Sequence, residues 1–228
     1  MYKHLIFDLD DTLLDFKTAE ASAIKQVMAE FGIDPNDENV ELYSGINLSF
    51  WKRFEKGEIE REKIFEGRFI EFAKALKISI DTRKMSQKYF EALSLGGQVF
   101  PYTVPLLEYL YKKYTLSAAT NGALITQKRR IAASGIGGYF KGGIYISEEI
   151  GLQKPQKEYF EYILNALGNP PKNQVLVLGD SLSSDILGAN NISVDCCFVN
   201  LRGQAVPQKI NANFVVNSLE EIPIVCGL

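Results

Sequence analysis

The chain has 228 residues, of which 46% are hydrophobic and 23% charged, and its formal net charge is −3. That composition excludes a disordered chain and leaves room for one well-cored domain plus an insertion. The lysines and arginines are spread along the sequence with no concentrated basic face, which argues against a nucleic-acid partner, and no apolar run approaches the ~18 residues needed to span a membrane.

The N-terminus, MYKHLIFDLDD, is too short in its apolar part and too acidic afterwards for a signal peptide, so a cytoplasmic location is expected. Its core, Lys3–Asp8, reads as a strand and runs into Asp8-Leu9-Asp10-Asp11-Thr12. Helical periodicity without a convincing strand follows over residues 16–96. There, Thr18–Phe31, Asn47–Lys56, Arg61–Leu76 and Thr82–Leu93 each read as an amphipathic helix. Gly96-Gly97 and Pro101 suit a returning linker.

Strands and helices then alternate. Pro105–Tyr114 reads as a helix, Thr115–Thr120 as a strand ending in Thr120-Asn121-Gly122, and Ala123–Ser134 as a helix closed by Gly135. Gly143–Ser147 reads as a third strand, followed by Gln153-Lys154-Pro155 and a helix at Lys157–Leu167. Gln174–Gly179 is a fourth strand, ending in Gly179-Asp180-Ser181, with Asp185 five residues beyond Asp180 and a helix at Ser184–Asn190. Asp195–Asn200 and Asn213–Asn217 complete the strands. Near-continuous apolar runs of β-preferring residues are what strands buried on both faces require, so a doubly wound parallel α/β sheet is expected. The three cysteines, Cys196, Cys197 and Cys226, form no CxxC pair, and the single histidine, His4, has no ligand partner nearby. Reduced, buried thiols are therefore expected rather than a disulfide or a zinc site.

In an open parallel sheet the carboxyl ends of the strands share one edge, where ligands bind. Asp8, Asp10, Thr120, Lys154, Asp180 and Asp185 all fall at or just past strand ends. Several carboxylates at one edge repel each other unless a cation lies among them, and a hard divalent ion with oxygen ligands, Mg²⁺ above all, resolves the repulsion. With Lys154 adding positive charge, the set reads as a phosphate site. Asp8 can attack phosphorus in line and Asp10 can pass the proton. Thr120 and nearby backbone N–H groups can hold phosphoryl oxygens; Asp180 can ligate the metal, and Asp185 can orient its water or Lys154.

DLDDTL, TNG, the QKP lysine and GDSLSSD together resemble the four motifs of the haloacid dehalogenase (HAD) superfamily, in the right order from Phe7 to the end of the chain. The resemblance implies a Rossmann-like catalytic core at residues 1–15 and 97–228 and an all-helical cap at 16–96. It puts the nucleophile on Asp8, the acid/base on Asp10, phosphate-binding groups on Thr120, Asn121 and Lys154, and metal ligands on Asp8, Asp180 and the backbone carbonyl of Asp10. Mg²⁺ is the implied cofactor, with Mn²⁺ as an alternative. Asp11 stands where many relatives carry glycine. Asp10 disfavours the dehalogenase branch, which attacks carbon and lacks that acid.

ISEEIGLQKPQKEYFEYILNALGNP, GDSLSSDILGANN and NLSFWKRFEKGEI further resemble bacterial pyrimidine nucleoside 5′-monophosphate phosphatases. A small phosphorylated metabolite, a nucleoside monophosphate, is the expected partner of a monomer or homodimer. Phe16, Trp51 and Phe54 could stack on a base, and Asn47 or Arg68 could bond to it. Aromatics at helical spacing serve equally well as core. A sugar-phosphate phosphatase, a mutase sharing the aspartyl-phosphate step, and a non-catalytic phospho-ligand module stay open.

Overall fold

The structure, a computed structural model, describes residues 1–206 and 211–227. The strands are β1 (His4–Phe7), β2 (Thr115–Thr120), β3 (Ile144–Ile146), β4 (Val175–Gly179), β5 (Asp195–Val199) and β6 (Phe214–Val216). They pair in parallel in the order β3-β2-β1-β4-β5-β6. Parallel pairing demands crossovers, and these run through α5 (Thr103–Leu110), α6 (Leu124–Ser134), α7 (Ser147–Ile150), α8 (Lys157–Ala166) and α9 (Leu187–Asn191), with α10 (Ile222–Val225) closing the chain.

Alternation along each strand feeds two separate cores. Leu5, Phe7, Leu116, Leu176 and Leu178 pack on one face with Leu106, Leu107, Leu110 and Ile222. Ile6, Val175, Val177 and Phe198 pack on the other with Tyr159, Phe160, Ile163 and Ile186. The sheet is thus the middle layer of three, as the apolar runs anticipate.

Between β1 and α5 lie α1 (Phe16–Glu30), α2 (Asp37–Glu55), α3 (Arg61–Ala75) and α4 (Thr82–Leu93). They bury a third cluster that includes Ile24, Val27, Tyr43, Phe69, Phe72, Met85 and Tyr89. The second helix is longer than the sequence reading, which starts it at Asn47; it begins at Asp37, where the Asn36 side chain accepts from the Asn39 N–H. Gly45 and the polar run ahead of it hide that first half. The helix expected at Ser184–Asn190 is instead a π-turn over Leu182–Ile186 followed by α9, with Ser181 capping the turn.

The two chain segments joining the four helices to the sheet run side by side. Asp15 N–H donates to Gln98 O at 2.9 Å, and Phe100 N–H donates to Leu13 O at 3.0 Å. Asp11 adopts a left-handed φ of 57°. Its carboxylate accepts from Lys17 N–H at 3.3 Å and from Arg202 at 2.8 Å, local bonding that lets aspartate occupy a turn where glycine is the common choice.

Candidate active site

The sheet reverses its strand order at the β1–β4 pair, so loops on either side diverge and leave a crevice at the carboxyl edge. Register decides what enters it. Phe7 pairs with Ala118 and with Leu178, so Asp8 follows directly from β1 beside Ala119 and Gly179. Asp8 N–H still donates to Leu178 O at 2.8 Å, which fixes its backbone.

Lys154 crosses from the loop after β3 to meet this edge. Its ammonium donates to Asp8 Oδ1 at 2.5 Å, to Asp185 Oδ1 at 2.7 Å and to Ala119 O at 2.9 Å. All three of its protons are therefore spent. The loop is held by Asn121, whose side chain accepts from Lys154 N–H and donates to Lys154 O, both at 2.9 Å. Sequence reasoning places Asn121 among the phosphate-binding groups; its side-chain amide bonds to the backbone of Lys154. Asp185 is 1% exposed, and its other oxygen accepts from Ser181 N–H at 3.1 Å.

Asp8, Asp180 and Asp185 each offer a carboxylate oxygen, all within 4.8 Å of one another. Burial pushes Asp8 up to about 8, against the pull of Lys154 and with help from Asp185 and Asp10. Burial, then repulsion from Asp8 and Asp185, holds Asp180 well above the usual carboxylate range. Burial draws the Lys154 ammonium down, but Asp185 and Asp8 outweigh it and hold it well above the usual lysine range. Fully ionised, the three carboxylates would outnumber the one ammonium, which is why Asp8 and Asp180 resist ionisation on their own. A hard divalent cation fits this donor set.

Asp10 turns its side chain away from the three-carboxylate cluster. Its Oδ1 accepts from Arg130 Nη1, and its Oδ2 accepts from Gln127 Nε2 at 2.9 Å. The same Gln127 amide donates to Thr120 Oγ1 at 2.7 Å, and Thr120 Oγ1 also accepts from Gly122 N–H at 3.1 Å. Gln127 and Arg130 were not singled out from the sequence. The available signal was their i, i+3 spacing, which puts both on the face of α6 that begins just after Thr120-Asn121-Gly122.

The four-helix insertion also reaches this edge. Arg61, at the start of α3, donates to Asn121 O at 2.7 Å and to Ser147 Oγ at 2.6 Å, and its guanidinium lies 4.7 Å from the Phe54 ring centroid. Glu55 accepts from Ser183 Oγ at 2.5 Å, and burial pushes its carboxyl up. Sequence reading passed over both residues, which look like ordinary helix-end charges.

Of the residues expected to bind a nucleoside, Phe54 is buried under Arg61, Trp51 meets it edge-on at 5.8 Å, and Phe16 lies 5.4 Å from the Arg130 guanidinium. Asn47 and Arg68 are each 2% exposed. Asn47 donates to Glu20 Oε1 at 2.6 Å and accepts from Arg68 Nη1 at 2.6 Å, so their polar bonds stay within the insertion. Among the described residues Arg68 Nε and Nη2 have no partner.

The chain matches the family model described as haloacid dehalogenase-like hydrolase over residues 2–192. HAD-hydrolase YfnB of Bacillus subtilis is 33% identical over 97% of this chain and 94% of its own. Pyrimidine 5′-nucleotidase PynA of Streptococcus pneumoniae is 35% identical over 87% of this chain and 84% of its own. The crystal structure of YfnB bound to magnesium superposes with a TM-score of 0.93 at 32% identity, covering 100% of this chain and 99% of that one.

Proposed function

The chain belongs to the haloacid dehalogenase-like hydrolase family, and from that premise we propose that it is a metal-dependent phosphatase whose preferred substrates are pyrimidine nucleoside 5′-monophosphates. The observation that carries phosphoryl chemistry is the second carboxylate. Asp10 is tied through one Gln127 amide to the hydroxyl of Thr120, beside the buried Asp8–Lys154 pair. Attack on a carbon–halogen bond would require no such proton carrier.

On this reading Asp8 attacks phosphorus in line, forming an aspartyl-phosphate, while Asp10 gives a proton to the departing alkoxide. Asp10 then takes a proton from water as the water oxygen bonds to phosphorus and the bond to Asp8 breaks. Lys154, exchanging one of its three present acceptors for a phosphoryl oxygen, would hold the phosphate together with Thr120, and Asn121 keeps Lys154 in register. Asp8, Asp180 and the backbone carbonyl of Asp10 would hold Mg²⁺ or Mn²⁺, with Asp185 orienting Lys154. When bound, the ion supplies the positive charge that lets an anionic nucleophile approach a phosphate dianion.

Residues 1–15 and 97–228 are the catalytic core, and 16–96 the cap that excludes water and bulky substrates. Arg61, Glu55 and Phe54 on the cap already bond to the loops after β2, β3 and β4, which supports closure over the site. The nucleoside reading is supported by the similarity to the pyrimidine 5′-nucleotidase PynA and to a 28%-identical relative, the pyrimidine 5′-nucleotidase YjjG of Escherichia coli.

The test is phosphate release with Mg²⁺ from a panel of nucleoside monophosphates and sugar phosphates, with Asp8→Asn as control. Preferential hydrolysis of UMP, dUMP or dTMP, lost in the control, is expected. Faster release from sugar phosphates would keep the mechanism and remove the substrate assignment.

A further inference from the structure

We propose that Arg130, assisted by Gln127, is the positioning residue for Asp10, and that it ties the setting of this carboxylate to the two segments that carry the helical insertion. The proposal rests on the phosphatase reading for the role of Asp10 and adds residues to it.

Arg130 is 1% exposed, yet it spends its guanidinium on three different parts of the molecule. Nη1 donates to Asp10 Oδ1 and, at 3.0 Å, to Gln127 Oε1. Nε donates to the carbonyl of Gly96 at 2.8 Å. The guanidinium lies 5.4 Å from the ring centroid of Phe16. Phe16 is the first residue of α1, where the chain leaves the sheet, and Gly96 lies just past α4, where it returns. One buried cation therefore touches the outgoing segment, the returning segment and the acid/base.

The returning segment has little freedom to move without Arg130. A Cβ on Gly96 would lie 2.8 Å from Ala19 Cβ of α1, and one on Gly97 would lie 2.7 Å from the backbone of Ala133 on α6. The segment is packed between the outgoing helix and the helix that bears Arg130. A rotation of the insertion that shifts Gly96 must also shift the acceptor of Arg130 Nε, and with it the donor on Asp10.

A buried arginine needs a carboxylate or carbonyls simply to be tolerated, so an ion pair alone could be packing. The arrangement here does more than neutralise charge. Two donors from two residues reach the two different oxygens of one carboxylate, which fixes its plane. Each oxygen keeps a lone pair for a proton in transit. Asp10 itself remains 27% exposed on its side-chain surface, so the held carboxylate is still reachable. Gln127 extends the same frame to Thr120 Oγ1, so acid and phosphate-binding hydroxyl are set by one unit. Positioning of this kind is where general acid catalysis gains or loses its rate.

The experiment compares two phosphate esters in single-turnover kinetics with Mg²⁺. A nucleoside 5′-monophosphate leaves as an alkoxide and needs a proton; p-nitrophenyl phosphate leaves as a stable phenolate and does not. In Arg130→Leu, release of nucleoside should fall about 10- to 100-fold, part of the ~10²–10⁴ that a general acid contributes, while the nitrophenolate burst should fall at least tenfold less. Arg130→Lys should recover part of the nucleoside rate, since an ammonium can reach Asp10 but cannot also serve Gly96 and Phe16. If Arg130→Leu does not fold, Gln127→Leu, which buries no new charge, carries the comparison and should show the same selective loss. Equal falls for both esters, or no fall for either, would overturn the proposal. Wild-type protein that releases phosphate from no monoester would instead remove the phosphatase reading beneath it.

Discussion

Replacing Lys154 with methionine tests the electrostatic account of the site. The ammonium donates to Asp8, to Asp185 and to Ala119 O, and it is 2% exposed. Methionine fills most of its volume and removes all three bonds. At pH 8, where wild-type Asp8 is about half ionised, this strips the counter-charge from a buried cluster, and such a loss costs about 3–5 kcal/mol. As pH falls, the orphaned Asp8 carboxyl takes up its proton in the folded state. That proton recovers about 1.4 kcal/mol per pH unit, so near pH 5.5 the deficit should shrink to about 1–2 kcal/mol, the size of the lost hydrogen bonds. Urea unfolding of wild type and variant at both pH values, without metal, measures the two differences directly. Adding Asp185→Asn to Lys154→Met should recover stability at pH 8, because one of the unpaired charges is then gone. A deficit that is independent of pH, or larger at pH 5.5, would refute the reasoning.

Asp8→Asn should lower turnover by about 10⁴-fold or more while leaving the fold intact, checked by phosphate release and circular dichroism. Without metal, the raised carboxyls of Asp8 and Asp180 contribute stability that is present below their unfolded value near 4 and is lost as pH rises, for Asp8 through about 8. Mg²⁺ binds the ionised forms, so its apparent affinity should rise about tenfold per pH unit for each displaced proton. The Mg²⁺-induced gain in Tm should therefore be larger at pH 8 than at pH 6. Gly179→Ala would put a Cβ 2.2 Å from Asp185 Oδ2; it should cost about 1–3 kcal/mol in urea unfolding and weaken the Mg²⁺ shift, because Asp185 must leave Lys154. Burial pushes the Cys197 and Cys226 thiols up to about 12, so neither should react with a thiol reagent at pH 8 until the protein unfolds.

Much of this site was legible in one dimension. The apolar run of β2 was read to its exact ends, and the parallel sheet followed from strands without polar faces. Asp8, Thr120 and Asp180 sit where strands stop, and the rule that strand ends share an edge brings them together without coordinates; Lys154 reaches the same edge from the loop beyond β3 and α7. Local chemistry also exposed the insertion, since helical spacing replaces strand spacing for about eighty residues.

Only the tertiary structure decided the partners of side chains that are ordinary in composition. Glutamine, arginine and glutamate on amphipathic helices are usually solvated, so Gln127, Arg130, Arg61 and Glu55 carried no distinguishing mark, yet each is folded against the site. Nothing in the sequence pairs Asn121 with Lys154; the path of the loop after β3 brings the Lys154 backbone to the Asn121 amide. Asn47 and Arg68 looked like ligand contacts because of their polarity; α1 supplies Glu20, which draws Asn47 into the interior of the insertion and Arg68 with it. A sequence fixes which groups are near strand ends because chain connectivity is local. It leaves open which charged groups meet across helices, because that depends on packing angles summed over the whole chain.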